Sequence, residues 1–138
     1  MGLMALIGVL LAGAVSDRIG LVAATFASFA LRVLIFAAVL LDQQVATVAA
    51  FALLFGLTFL MTAPLTVIFV RDAFGVLHLG AITGFVTMIH HICGGLGALV
   101  GAALFDAEGS YTTVLWLMLG SSALGCALSL GLRKPSPH

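Results

Sequence analysis

Four apolar stretches dominate the chain, at residues 20–41, 45–70, 79–104 and 111–132, and only a few polar residues separate each from the next. At 1.5 Å of rise per residue, helices over these stretches reach ~33–39 Å, enough to cross a hydrocarbon core of ~30 Å. Transmembrane β-strands would alternate polar and apolar side chains over about ten residues, and these stretches do not. The pattern predicts an all-α chain, a polytopic helical membrane protein. Composition points the same way: 7% of the 138 residues are charged, against about 25% in a soluble domain. With net charge zero, nothing suggests nucleic acid as a partner. The expected solvent is the lipid bilayer.

A fifth, shorter run covers residues 1–16 and would reach only ~24 Å as a helix. It lacks the basic n-region of a signal peptide, and Leu6 stands where a myristoylation signal needs Ser or Thr. The expectation is a partial span, the end of a helix whose beginning is missing. About five spans result, with a short tail at 133–138.

Charge gives the spans a direction. The breaks are "SDRIG" (16–20), "DQQ" (42–44), "RDAFGVLH" (71–78) and "DAEGS" (106–110), followed by the tail "RKPSPH". Alternate breaks fall on alternate sides, so Arg18, Arg71, Arg133 and Lys134 share one side. The other side receives Asp42, Asp106 and Glu108 and no basic residue. Positive charge stays inside, so the C-terminus is expected in the cytoplasm. Tyr111 and Trp116 then begin the last span near the outer interface, as an aromatic belt would. Cys93 and Cys126 lie within apolar runs and are expected as small core hydrophobes.

Small residues recur at helical spacing: Gly80, Gly84, Gly94, Gly97 and Gly101 in one run, Ser121, Gly125 and Ser129 in the last. Such stripes let helices approach closely in lipid. Pro64 removes a backbone donor and should bend its helix. Thr58, Thr62 and Thr66 share a face around it, and the face suits either close packing or the lining of a pathway.

Arg32 is the most unusual residue. It is the twelfth of the 21 residues Leu21–Leu41, so it lies near mid-depth, where a charge costs about 2.5–3.5 kcal/mol on insertion scales. Ser28 and Thr25 continue its face as a polar stripe, which should turn toward protein or water. Every acid in the chain lies in a break. The counter-charge is therefore expected from helices outside this chain, from a second chain or from an anionic substrate. For its role, bracing of neighbouring helices through backbone carbonyls is the leading reading, with recognition of a carboxylate or an ion pair with the missing half as the alternatives. His90 and His91 sit midway along their run, where an imidazole either bonds across helices or carries a proton. No break holds a Ser/His/Asp set, a histidine cluster or paired acids, so neither an enzyme nor a metal or other cofactor is expected.

The loops resemble those of the major facilitator superfamily of secondary transporters. "GAVSDRIG" (13–20) is similar to that family's G-x-x-x-D-R-x-G signature, carried here by Gly13, Asp17, Arg18 and Gly20. Leu21 and Val22 replace the usual basic pair, as in the looser second copy of the motif. "LFDAEGSY" (104–111) resembles the turn between the eleventh and twelfth helices, and "VRDAFG" (70–75) the loop after the tenth. With "MIHHICGGLGALVGAALFD", the ensemble is most similar to bacterial members of the monocarboxylate-transporter-like branch.

The resemblance implies part of helix eight and helices nine to twelve, most of the C-terminal six-helix half. It implies a partner as well, the missing N-terminal half or a second chain, and a location in the bacterial inner membrane. The implied function is alternating-access transport of a small molecule. The lone arginine suggests a small organic anion such as a monocarboxylate. Pathway candidates are Arg32, Thr62, Pro64, His90 and His91; a gating role for the 13–20 loop enters by the resemblance. A non-transporting membrane scaffold, or the product of a decayed transporter gene, is the alternative. Sidedness is open to a direct measurement: green fluorescent protein fused after His138 should fluoresce, and alkaline phosphatase inserted after Gln43 should be active. The reverse pattern would contradict the assigned orientation.

Overall fold

The computed structural model describes residues 2–132 and is built of helices: α1 (Gly2–Ile19), α2 (Leu21–Leu41), α3 (Val45–Phe59), α4 (Thr62–Phe74), α5 (Leu79–Glu108) and α6 (Thr112–Leu130). The protein is an all-α, polytopic membrane protein. Four segments are long and apolar enough to cross a bilayer: α2, the α3–α4 pair taken together, α5 and α6. Arg133 and Lys134, on which the cytoplasmic assignment of the tail leans, lie outside the described residues.

Helix ends differ from the polar breaks for a physical reason. Ser, Asp, Arg and Glu are tolerated in helices, so the chain keeps turning until a glycine stops it. α1 runs through the first four residues of "SDRIG", and α5 takes in Asp106, Ala107 and Glu108. Gly20, Gly75 and Gly109 follow α1, α4 and α5 with φ of 87°, 72° and 65°. That region disfavours any side chain with a Cβ. The acids of the remaining turns hold the chain: Asp42 accepts from the Gln44 N–H at 3.1 Å and the Thr47 hydroxyl at 2.8 Å. Glu108 accepts from Thr113 at 2.6 Å.

Small residues are prominent in the interior. Ala5, Ala12, Ala24, Ser16, Ser28, Thr58, Ser122 and Ser129 are buried beside Ile35, Phe36, Val39, Leu65 and Val70, whereas Leu10, Leu34, Leu99, Leu124 and Leu128 are well exposed. Lipid gives apolar side chains no reason to leave the surface, so helices associate where small residues permit contact. α2 is the hub, packed against α1, α3, α4 and α6. Its contact with α6 places the Phe29 ring over Gly125, where an added Cβ would come within 2.7 Å of the ring. Between α2 and α3 lies an aromatic cluster, with Phe36 5.5 Å from Phe51 and 5.6 Å from Phe55, centroid to centroid. Ala12, Ala24 and Leu65 form a small core joining α1, α2 and α4.

α5 stands apart. None of its residues is buried, and it meets the rest of the fold through α4 and α6. A Cβ added at Gly80, Gly84, Gly94, Gly95 or Gly97 would meet open space. Of the stripe, Gly101 alone packs among the described residues, where an added Cβ would lie 3.7 Å from Val114 of α6.

Gly8 shows the opposite situation. Its α-carbon lies so close to α3 that an added Cβ would meet the Leu57 carbonyl oxygen and carbon, backbone atoms that cannot rotate away. Gly8→Ala is expected to lower unfolding free energy by about 1–3 kcal/mol, the range for overpacking, in SDS-titration unfolding of the micellar protein. Gly13→Ala, where a Cβ meets nothing, is the control and should leave it unchanged or higher.

Candidate functional site: a guanidinium at a divided transmembrane helix

Residues 45–74 form one span by length and hydropathy, yet Leu60 and Met61 interrupt it. Pro64 accounts for the interruption. It has no N–H, so the carbonyl of Leu60, four residues earlier, loses its helical donor. The chain responds by tightening: the Ala63 N–H turns to Leu60 O at 3.2 Å, an i→i−3 bond. The Phe59 carbonyl then loses the donor that Ala63 would have supplied, and among the described residues no backbone N–H donates to Thr58 or Phe59 O. The irregularity expected at Pro64 is present as a tightened turn at Leu60 and Met61, one turn before the proline, where the backbone keeps right-handed helical angles and the helical hydrogen-bond ladder is interrupted.

Carbonyls stranded in hydrocarbon must find partners. Arg32 supplies them. Its Nη2 donates to Thr58 O at 2.5 Å and to Phe59 O at 3.4 Å, and its Nε reaches Thr58 Oγ1 at 3.4 Å. The same hydroxyl donates back to the carbonyls of Phe55, at 3.1 Å, and Leu54, at 3.4 Å. Thr58 is 1% exposed. The guanidinium also lies beside two rings, 5.4 Å from the Phe29 centroid and 5.9 Å from that of Phe55, close enough for cation–π attraction. The positive group meets the C-terminal end of α3, where the helix dipole is negative. Along α2, Ser28 is buried and donates to Thr25 O at 2.8 Å, so the polar stripe does face protein.

The hydrogen bonds of Arg32 are thus made within the chain, to the Thr58 and Phe59 carbonyls and the Thr58 hydroxyl of α3, as the bracing reading expects. What the chain does not supply is an acid. Among the described residues the only ion pair is Arg71–Asp72, exposed and 2.8 Å long.

The other candidates fall into separate places. Thr62 opens α4 just past the break, and its carbonyl accepts from the Thr66 hydroxyl at 2.8 Å. His90 and His91 lie on exposed α5, ring centroids 5.7 Å apart, with His91 Nδ1 2.8 Å from Thr87 O. They do not join Arg32. Gly13, Asp17 and Arg18 belong to the last two turns of α1 rather than to a loop, and only Gly20 is the turn. Asp17 consequently lies near the C-terminus of α1. An open apolar depression of about 360 Å³, lined by Ile19, Gly20, Val22, Ala23, Phe26 and Leu130, does not include Arg32.

Thr58 is anticipated as part of the threonine face around Pro64, whereas the Phe59 carbonyl and the link of both residues to Arg32 are not. The signal was Pro64: counting back four residues finds the first orphaned carbonyl, and the next two upstream are those Arg32 occupies.

No family model, curated protein or solved structure matches the chain. The site is therefore interpreted from its own chemistry: a mid-depth guanidinium, a divided helix and hydroxyls on either side of the break.

Thr58→Val keeps the shape of the side chain and removes the hydroxyl that serves Nε and Phe55 O. It is expected to lower unfolding free energy by about 0.6–1.5 kcal/mol, measured by SDS titration in micelles. A cost near zero would mean that the hydroxyl contributes nothing to holding the guanidinium.

Proposed function

We propose that the chain is one lobe of an alternating-access secondary transporter for a small organic anion, working with a second lobe from further helices. The observation that carries this reading is the interrupted hydrogen-bond ladder of the α3–α4 span, with Arg32 donating to the Thr58 and Phe59 carbonyls it leaves without backbone donors. Discontinuous transmembrane helices with unsatisfied backbone groups at mid-depth are a recurrent way of building transporter sites. An ionisable group inside the bilayer marks a functional site by default. The guanidinium keeps one further nitrogen, Nη1, for which no acceptor is found among the described residues, and a planar carboxylate suits that fork.

The loop motifs support a member of the major facilitator superfamily, in the monocarboxylate-transporter-like branch. On this reading the membrane is the bacterial inner membrane and the basic tail is cytoplasmic. The open glycine face of α5 is where the proposal puts the second lobe. The same face also favours a second reading, a membrane assembly module that packs through α5 and moves no solute.

The test is uptake of labelled small monocarboxylates by cells expressing the chain together with any reading frame that precedes Met1 in its gene. Saturable uptake is expected, and Arg32→Gln should reduce it at least tenfold while the protein still reaches the membrane. Unchanged uptake in that variant would remove the anion from the proposal. No saturable uptake of any carboxylate would leave the assembly reading in possession.

A further inference from the structure

We infer that the apolar depression at the basic end of the bundle seats one anionic phospholipid, with an acyl chain in the recess and the lipid phosphate on Arg18 and the basic residues that follow α6. The inference is independent of solute transport and needs only that the chain spans a bilayer.

The recess forms where three helix ends meet. Ile19 closes α1, Gly20 makes the turn, Val22, Ala23 and Phe26 belong to the first two turns of α2, and Leu130 is the last residue of α6. Its volume is about 360 Å³, and every side chain on its wall is a hydrocarbon or an aromatic ring. From Gly20 to Phe26 the wall descends ~9 Å along α2. The ends of spans lie at the headgroup boundary, so this wall faces the upper part of a lipid tail. A tail fills what the side chains leave open, because a gap along the wall forfeits dispersion contacts.

The tail alone would not choose among lipids; charge does. Arg18 immediately precedes Ile19 and is exposed. Among the described residues it has no ion-pair partner, neighbouring Asp17 included, whereas Arg71 is bonded to Asp72. Arg133 and Lys134 lie outside the described residues, but they follow Leu130 by three and four positions. That much chain reaches at most ~11–14 Å. Three basic residues are thus tethered to two rims of the recess, and the only acid in the same two segments is Asp17.

Basic residues beside a recess between helices at the membrane surface are suited to a phosphate headgroup. The guanidinium fork also matches two phosphate oxygens. Phosphatidylcholine offers the same tail, but its choline cancels the phosphate charge. Phosphatidylglycerol keeps that charge and is the better occupant. The seated lipid ties the end of α6 to the α1–α2 turn.

The experiment uses the chain reconstituted in phosphatidylcholine vesicles that contain a graded fraction of brominated lipid, a contact quencher of indole fluorescence. Trp116→Phe removes the native indole, and Leu130→Trp, at an exposed position on the rim, supplies the reporter. Brominated phosphatidylglycerol is expected to reach half-maximal quenching at a mole fraction about fivefold or more below that of brominated phosphatidylcholine, the preference that a single basic residue near the surface confers. Arg18→Gln should raise that fraction about fivefold. Ala23→Phe, which sets a ring in the recess from an exposed position, should abolish the preference.

Equal quenching by the two lipids would overturn the inference. A preference that survives Ala23→Phe would belong to a general shell of charged lipid and not to a seat, and one that survives Arg18→Gln would remove the contact with α1. Either result overturns the assignment. Native mass spectrometry of the unsubstituted protein, released from mixed micelles of the two lipids, gives a measurement free of any folding defect in the variants. One phosphatidylglycerol retained per chain is expected, and retention of neither lipid, or of both equally, would refute the seat.

Discussion

A peptide carbonyl inside a bilayer cannot turn to water, and most of this structure can be traced to where three such carbonyls go. Pro64 removes the donor of Leu60, the chain tightens to recover it, and the deficit passes back to Phe59 and Thr58. A guanidinium from α2 then closes the account. Each of these residues is unfavourable in isolation: a proline within a span, an arginine at mid-depth, a helix interrupted at Leu60 and Met61. Together they satisfy one another. Phe29 and Phe55 flank the cation, and Gly125 lets α6 lie against the same Phe29 ring.

The site differs from an ion pair in what it leaves available. A buried Arg–Glu pair would neutralise the cation permanently and would be strongly destabilised by losing either member. Carbonyl partners satisfy hydrogen bonds without cancelling the charge. The guanidinium is thus held in place and remains electrostatically able to attract an anion. This is the feature that favours a solute-handling role over a purely structural brace.

Much of the architecture was legible in the sequence because bilayer spanning imposes length and hydropathy so strongly. The Leu21–Leu41 span coincides with α2, and 45–74, 79–108 and 112–130 overlap the other expected spans. Helix ends were less legible, since polar residues such as those of "SDRI" suggest a loop but do not break a helix; the glycines with positive φ do. At the site, the depth of Arg32 and the breaking action of Pro64 could be read directly. Their connection could not, because it depends on how α2 and α3 cross in space, and 26 residues separate Arg32 from Thr58. The histidines illustrate the converse: they sit midway along their span, as Arg32 does along α2, but on α5, which packs elsewhere.

The three-residue link between α2 and α3 has a consequence for how the protein is made. Arg32 leaves the ribosome before the carbonyls that receive it, and a lone helix bearing it would enter lipid reluctantly. Asp42, bonded to Gln44 and Thr47, folds the connection back tightly, so the two helices can leave the translocon as a hairpin with the cation already covered. Insertion of the second helix then depends on synthesis of the third. Lengthening residues 42–44 would burden biogenesis before it altered the finished fold.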